Sequence, residues 1–149
     1  MNNALILIIY YFLILISIIG YGLFFLGLFK KQLDCSNFGY VGLFGIYILL
    51  IYSYLSNFIL AHSDLHNISL LILGVILFIF KIFKNYSKYK KEFLLTSLVF
   101  FLISSSIFLY KNHDDFTYYH FPYTYYLTQQ SFYIGIGQFN HGFRTPSSI

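Results

Sequence analysis

From Ala4 to Phe29 the chain carries no charged residue. Wound as a helix at ~1.5 Å per residue, such a run exceeds a hydrocarbon core ~30 Å thick. A soluble helix of that length would present a polar face to water, and this run has none. Three more apolar runs follow, at Phe38–Leu60, Leu65–Phe83 and Phe93–Tyr110. Composition supports the same conclusion. Of the 149 residues, 58% are hydrophobic and 9% charged, whereas a soluble domain carries about 25% charged residues. So little charge excludes a soluble fold and also intrinsic disorder. A single cysteine, Cys35, excludes a disulfide scaffold.

The expected fold is all-α: a polytopic transmembrane bundle of about four spans with an external amphipathic or re-entrant segment over 111–149. Helices satisfy their own backbone in lipid, and the alternating pattern of a barrel strand is absent. Gly74 marks a close-packing point in the third run. Ser53, Ser56 and Asn57 in the second run can bond within a bundle. Ala4–Phe29 is not read as a secretory signal. No Lys or Arg precedes it, it is too long, and no small-x-small cleavage site follows.

The basic residues give a direction. Lys30, Lys31, Lys81, Lys84, Lys88, Lys90 and Lys91 are seven of the nine Lys and Arg, and all fall on one side of the alternating spans. That side is expected to be cytoplasmic. The N-terminus, the His62–His66 connection and residues 111–149 are then outside, with the bacterial inner membrane as the expected location. Cys35 lies on the cytoplasmic side, where a thiol stays reduced. Lys84–Lys91 is expected to form a solvated loop facing lipid headgroups. The net charge of +4 follows from this topological bias, so no nucleic-acid partner is expected, and membrane lipid is.

Chemistry is expected in the outer segment, which begins Lys111-Asn-His113-Asp114-Asp115-Phe-Thr-Tyr-Tyr119-His120. Two adjacent carboxylates are costly to ionise together. They call for a divalent metal, a basic partner, or an acceptor hydroxyl in need of a general base. The competing use of Asp114 or Asp115 is as the cap of a helix over Phe116–Thr128. Asp115 and His120, five apart, come close to sharing a face of such a helix. Tyr118, Tyr119, Tyr123, Tyr125 and Tyr126 fit an interfacial belt, with stacking on sugar rings as the other use. His62 and His66 have the i, i+4 spacing of metal ligands. With no further ligands nearby, they read as part of a solvated loop in which Asp64 or Asn67 caps the third helix. Gly135-Ile136-Gly137 is not a phosphate loop, because it lacks a third Gly and a following Lys-Ser/Thr. The end of the chain, Arg144-Thr-Pro146-Ser147-Ser148-Ile149, reads as the entry to another helix. The expectation is therefore the N-terminal part of a longer protein.

Two linked patterns carry a family resemblance. The first is Asp115 followed five residues on by His120 within Tyr-His. The second is Gly135-Ile136-Gly137-Gln138-Phe139 leading to Ser147-Ser148. Over the last quarter of the chain these resemble uncharacterised bacterial polytopic proteins related in layout to GT-C-type glycosyltransferases. The resemblance implies an enzyme that uses a lipid-phosphate-linked sugar, of the polyprenyl-phosphate type, in cell-envelope glycan assembly. It implies an active-site role for Asp115, as acceptor-activating base or metal ligand, with Asp114 beside it; His120 matches the family pattern and is the third catalytic candidate. His113 and Arg144 are the candidate substrate contacts, Arg144 toward a donor phosphate. The alternatives are a non-catalytic multi-span component (a flippase, polymerase or transporter piece) or a small assembly subunit.

Overall fold

The computed structural model describes residues 2–28, 37–108 and 116–133. Four long helices come first: α1 Asn2–Leu28, α2 Phe38–Asn57, α3 Asp64–Lys84 and α4 Tyr86–Ser104. A 3-10 turn extends α4 over Ser105–Phe108. A π-helical turn, Phe116–His120, then runs into α5, Phe121–Gln129. The described residues contain no strand. Three helices are long and apolar enough to cross a bilayer, at Ala4–Leu28, Phe38–Asn57 and Asp64–Lys84. Large apolar side chains line their outer faces; Leu43, Leu65 and Phe83 are all more than half exposed. Faces of this kind need lipid or protein against them rather than water. The chain therefore has the build of an integral membrane protein.

The fourth apolar run begins later than its helix. Residues 84–91, expected as a loop, are helical except for Asn85. Lys, Glu and Tyr accept helical backbone readily enough, so one residue suffices to join α3 to α4. The exposed Lys88 and Lys90 sit on the first turns of α4, 5.5 Å and 6.0 Å from the rings of Tyr89 and Tyr86. From Phe93 through Phe108 the apolar part is only ~26 Å long by helical rise. That falls slightly short of a full hydrocarbon core, and long Lys side chains can bridge the difference by reaching for the surface.

Two compact units make up the chain: residues 1–49 with 70–110, and residues 50–69 with 111–149. In the first, α1 is the hub. Glycines let its backbone meet two neighbours closely. A Cβ on Gly22 would strike the Val41 carbonyl of α2, and one on Gly45 would strike the Ile18 carbonyl. On the α3 side, a Cβ on Gly20 would strike the Gly74 carbonyl, and one on Gly74 would strike the Ser17 hydroxyl. Lipid tails give helices no hydrophobic reason to associate, so such backbone approach is a main source of packing energy. The Tyr21 hydroxyl adds a hydrogen bond to the Leu70 carbonyl, 2.9 Å. Phe12 packs against Phe100 and Phe101 of α4, with ring centroids 5.2 and 5.5 Å away.

The apolar core lies toward the basic end of this unit. Ile19, Leu23, Phe38, Val41 and Phe78 are buried there, with Tyr89 and Phe93 packed against them. Phe38 meets Phe78 edge-on at 6.1 Å, and Phe93 covers Phe78 at 5.8 Å. Asn37 fixes the start of α2. Its side-chain oxygen accepts from the Gly39 and Tyr40 amides at 2.8 and 3.2 Å, which satisfies donors left open at a helix N-terminus.

Candidate functional site

The polar chemistry of the described residues gathers in the second unit. α2 ends at Asn57, and the Ser56 carbonyl accepts from both Ile59 and Leu60, closing a turn. Ser63 starts α3. Its carbonyl accepts from the Asn67 amide at 2.9 Å, and its hydroxyl lies 3.5 Å from the His66 amide. The expected cap was Asp64 or Asn67. Ser63 takes that position because it precedes the first helical residue, while Asp64 lies inside the first turn, where a carboxylate favours the helix dipole.

Asn67 has a different task. Its side-chain NH₂ donates to the His62 carbonyl at 2.9 Å, so its oxygen is the atom that meets His66 Nδ1, at 3.1 Å. That assigns the proton of a neutral His66 to Nδ1. Nε2 then accepts from the Tyr52 hydroxyl, 3.0 Å away. The rings of Tyr52 and His66 are nearly parallel, with centroids 5.8 Å apart. His62 stacks on His66 in turn, at 4.6 Å and 11°. The His62 Nε2 lies 2.9 Å from the Ser56 hydroxyl.

The exposure expected of a solvated loop holds for Ser63, Asp64 and Leu65 and is corrected at His62. His62 is 8% exposed. The cause is α5, whose last carbonyls lack helical partners. The His62 backbone N–H donates to the Leu127 carbonyl at 2.9 Å, and the Phe132 N–H donates to the Asn57 carbonyl at 2.8 Å. Phe132 also meets Phe58 edge-on at 5.5 Å. Tyr123 and Leu127, four apart on α5, form the buried face of this unit with Tyr126 and Phe132 beside them. Burial holds the His62 imidazole below its ordinary pKa, and repulsion from His66 lowers it further. Burial likewise pushes the Tyr126 phenol up, with Tyr133 and Tyr123 adding to the effect. Tyr126 thus stays protonated and donates to the Ser131 carbonyl at 3.2 Å.

Asn57 stands apart. It is 2% exposed, and among the described residues neither the nitrogen nor the oxygen of its side chain has a hydrogen-bond partner.

The α5 segment has a local cause as well. Pro122 lies at its start and has no N–H to give to the preceding turn. The chain there takes the wider π-helical turn 116–120, and the Thr124 hydroxyl bonds the His120 carbonyl at 2.8 Å. The outward side carries Phe116, Phe121 and Tyr125, whose rings follow one another at 6.3 Å spacings. Of the tyrosines expected in an interfacial belt, Tyr118 and Tyr125 are well exposed, whereas Tyr123 is buried in the core of this unit.

Of the residues expected to carry chemistry, His120 is exposed at the end of the π-helical turn. Among the described residues no hydrogen bond or ring contact joins its side chain to the His62–His66 pair. His113, Asp114, Asp115 and Arg144 lie outside the described residues, as do Gly135–Phe139, Ser147 and Ser148. Among the described residues no three His, Cys, Asp or Glu side chains gather to hold a metal. The stacked imidazoles are themselves committed to Ser56, Tyr52 and Asn67. What the cluster can do is hold or release a proton at a buried imidazole. The sequence singles out Asn67 only as a candidate cap and does not single out Tyr52. The matching i, i+4 spacings, Tyr52 with Ser56 and His62 with His66, were the available signal. Comparison with known families, characterised proteins and solved structures finds no match.

Proposed function

We propose that this integral membrane chain forms the N-terminal part of a GT-C-like glycosyltransferase. It would use a lipid-phosphate-linked sugar for cell-envelope glycan assembly in a bacterial inner membrane. The observation that carries the reading is the union of the 57–63 turn with α5. Two backbone hydrogen bonds, His62 to Leu127 and Asn57 to Phe132, tie them together. Both then lie on one side of the membrane, which requires α3 and α4 to carry the chain away and back. Charge bias favours a cytoplasmic side for the Lys-bearing junction around Asn85. In this reading the Asp115–His120 pattern belongs to the outer side.

In this reading Asp115 accepts the proton of an acceptor hydroxyl as that oxygen bonds to the sugar's anomeric carbon. The bond from that carbon to the lipid phosphate breaks, and the lipid phosphate leaves with its electron pair. Asp114 and His120 flank the base, and His113 and Arg144 contact substrate. A divalent cation beside Asp114 and Asp115 would neutralise the phosphate. The reading rests on the resemblance of the last quarter of the chain and on this sidedness.

The test is transfer from a radiolabelled polyprenyl-phosphate sugar in membranes carrying the full-length protein. Asp115→Asn is expected to lower transfer at least ~100-fold, the scale of a lost general base, with unchanged protein level. Normal transfer by Asp115→Asn would overturn the assignment. A non-catalytic membrane component is the second reading. The mutual hydrogen bonding of Tyr52, Ser56, His62, His66 and Asn67 favours it, since it commits these groups to one another rather than to a substrate.

A further inference from the structure

We propose that His62 is a proton-operated latch: uncharged, it holds the 57–63 turn against the end of α5, and protonated, it leaves its site and releases α5. The inference does not depend on the glycosyltransferase reading. It stands on three pieces of geometry. His62 is 8% exposed, so its imidazole has almost no access to water that could solvate a charge. Its ring lies 4.6 Å from that of His66, so a proton placed there meets another proton-accepting ring rather than an anion. The same residue supplies the backbone N–H that caps Leu127. The ring and the capping N–H thus belong to one residue, beside the bond from Phe132 to Asn57, and in the proposed latch loss of the ring's site loosens both.

The groups around His62 offer a charge no relief. From α2 come the Ser56 hydroxyl on Nε2 and, beyond His66, the Tyr52 phenol. From α3 come His66 itself and the Asn67 amide; Asp64 sits exposed in the first turn of that helix. The α5 segment carries the phenols of Tyr123, Tyr126 and Tyr133, which influence one another, and no carboxylate among its described residues. Neither imidazole is paired with a carboxylate among the described residues. Burial first and His66 second keep the imidazole below its ordinary value of 6.5. The sign follows from linkage. The released state binds a proton more readily than the latched one, so the latch is fully closed above about pH 6.5 and weakens as pH falls below it. At pH 5.5 an unhindered imidazole is about ten-fold more protonated than not, so the shift toward release between pH 7.5 and 5.5 is up to about ten-fold.

Amide hydrogen exchange on the full chain in phosphatidylglycerol–phosphatidylcholine nanodiscs reads this directly. Rates over 57–63 and 127–133 are measured at pH 7.5 and 5.5 and corrected for intrinsic exchange. In the unaltered protein, protection of these segments is expected to fall several-fold, up to about ten-fold, while α1 keeps its protection. In His62→Gln, whose amide can still meet Ser56, protection is expected to be the same at both values. Equal protection of the unaltered protein at both pH values overturns the proposal, and so does a loss that persists in His62→Gln. Should that variant fail to fold, the His62 ring is titrated by NMR in the unaltered protein. A midpoint at or above about 6.5 overturns the latch, and one clearly below supports it.

Discussion

Asn57 and Ser56 are neighbours in sequence with opposite hydrogen-bonding standing. The Ser56 hydroxyl serves the His62 ring, while the buried Asn57 side chain has no partner for either polar atom among the described residues. Removing one partner of a buried pair costs about 1–3 kcal/mol, whereas replacing an unpaired polar group by an apolar one of similar shape costs little or stabilises. Ser56→Ala is therefore expected to lower stability by about 1–3 kcal/mol, and Asn57→Leu to leave it unchanged or raise it. Thermal unfolding in detergent separates the two. A fall for Asn57→Leu as large as that for Ser56→Ala would mean that the amide is bonded after all. The two residues also mark how much of the site was legible at this scale. Types and spacings drew attention to His62 and His66, but burial did not follow from them. A His-Ser-Asp-Leu-His stretch between two spans reads as loop. Only α5, arriving from more than fifty positions away in sequence, removes His62 from water.

At the scale of elements, the apolar runs placed the first three helices within a few residues, because a bilayer leaves the backbone no alternative to helix. α4 was misjudged at its start for a physical reason. Charge marks where a helix leaves the membrane, not where it stops being helical, so Lys88–Lys91 continue the helix. The use of Gly74 was legible as close packing, and its partner was not. Gly74→Ala would press a methyl group against the Ser17 hydroxyl and backbone of α1. The expected cost is about 1–3 kcal/mol, the usual range for overpacking. Gly42 is the control. Its nearest neighbour is Ile19 Cγ1 at 3.8 Å, an ordinary contact, so Gly42→Ala is expected to be neutral or to gain from its better helix propensity. Equal losses in the two variants, measured by unfolding in detergent, would show that the α1–α3 approach is not as tight as described.

At the scale of the whole molecule, everything functional depends on sidedness. The charge bias predicts a cytoplasmic side for Lys30–Cys35 and the α3–α4 junction. Backbone hydrogen bonds join the 57–63 turn to the α5 segment, and in the proposed reading both lie on the external side. The fold class was legible from apolar run lengths alone. The site was legible only in part, because all its expected residues but His120 lie in the 109–115 and 134–149 stretches and its observed cluster needed tertiary contact to form. One labelling experiment in intact bacterial cells tests the arrangement most directly, using a membrane-impermeant maleimide. Native Cys35 is expected to resist the reagent until the cells are opened. In a Cys35→Ser background, Ser131→Cys is expected to react in intact cells. Labelling of Cys35 from outside, with Ser131→Cys protected until lysis, would invert the topology and contradict the assignment of the outer unit.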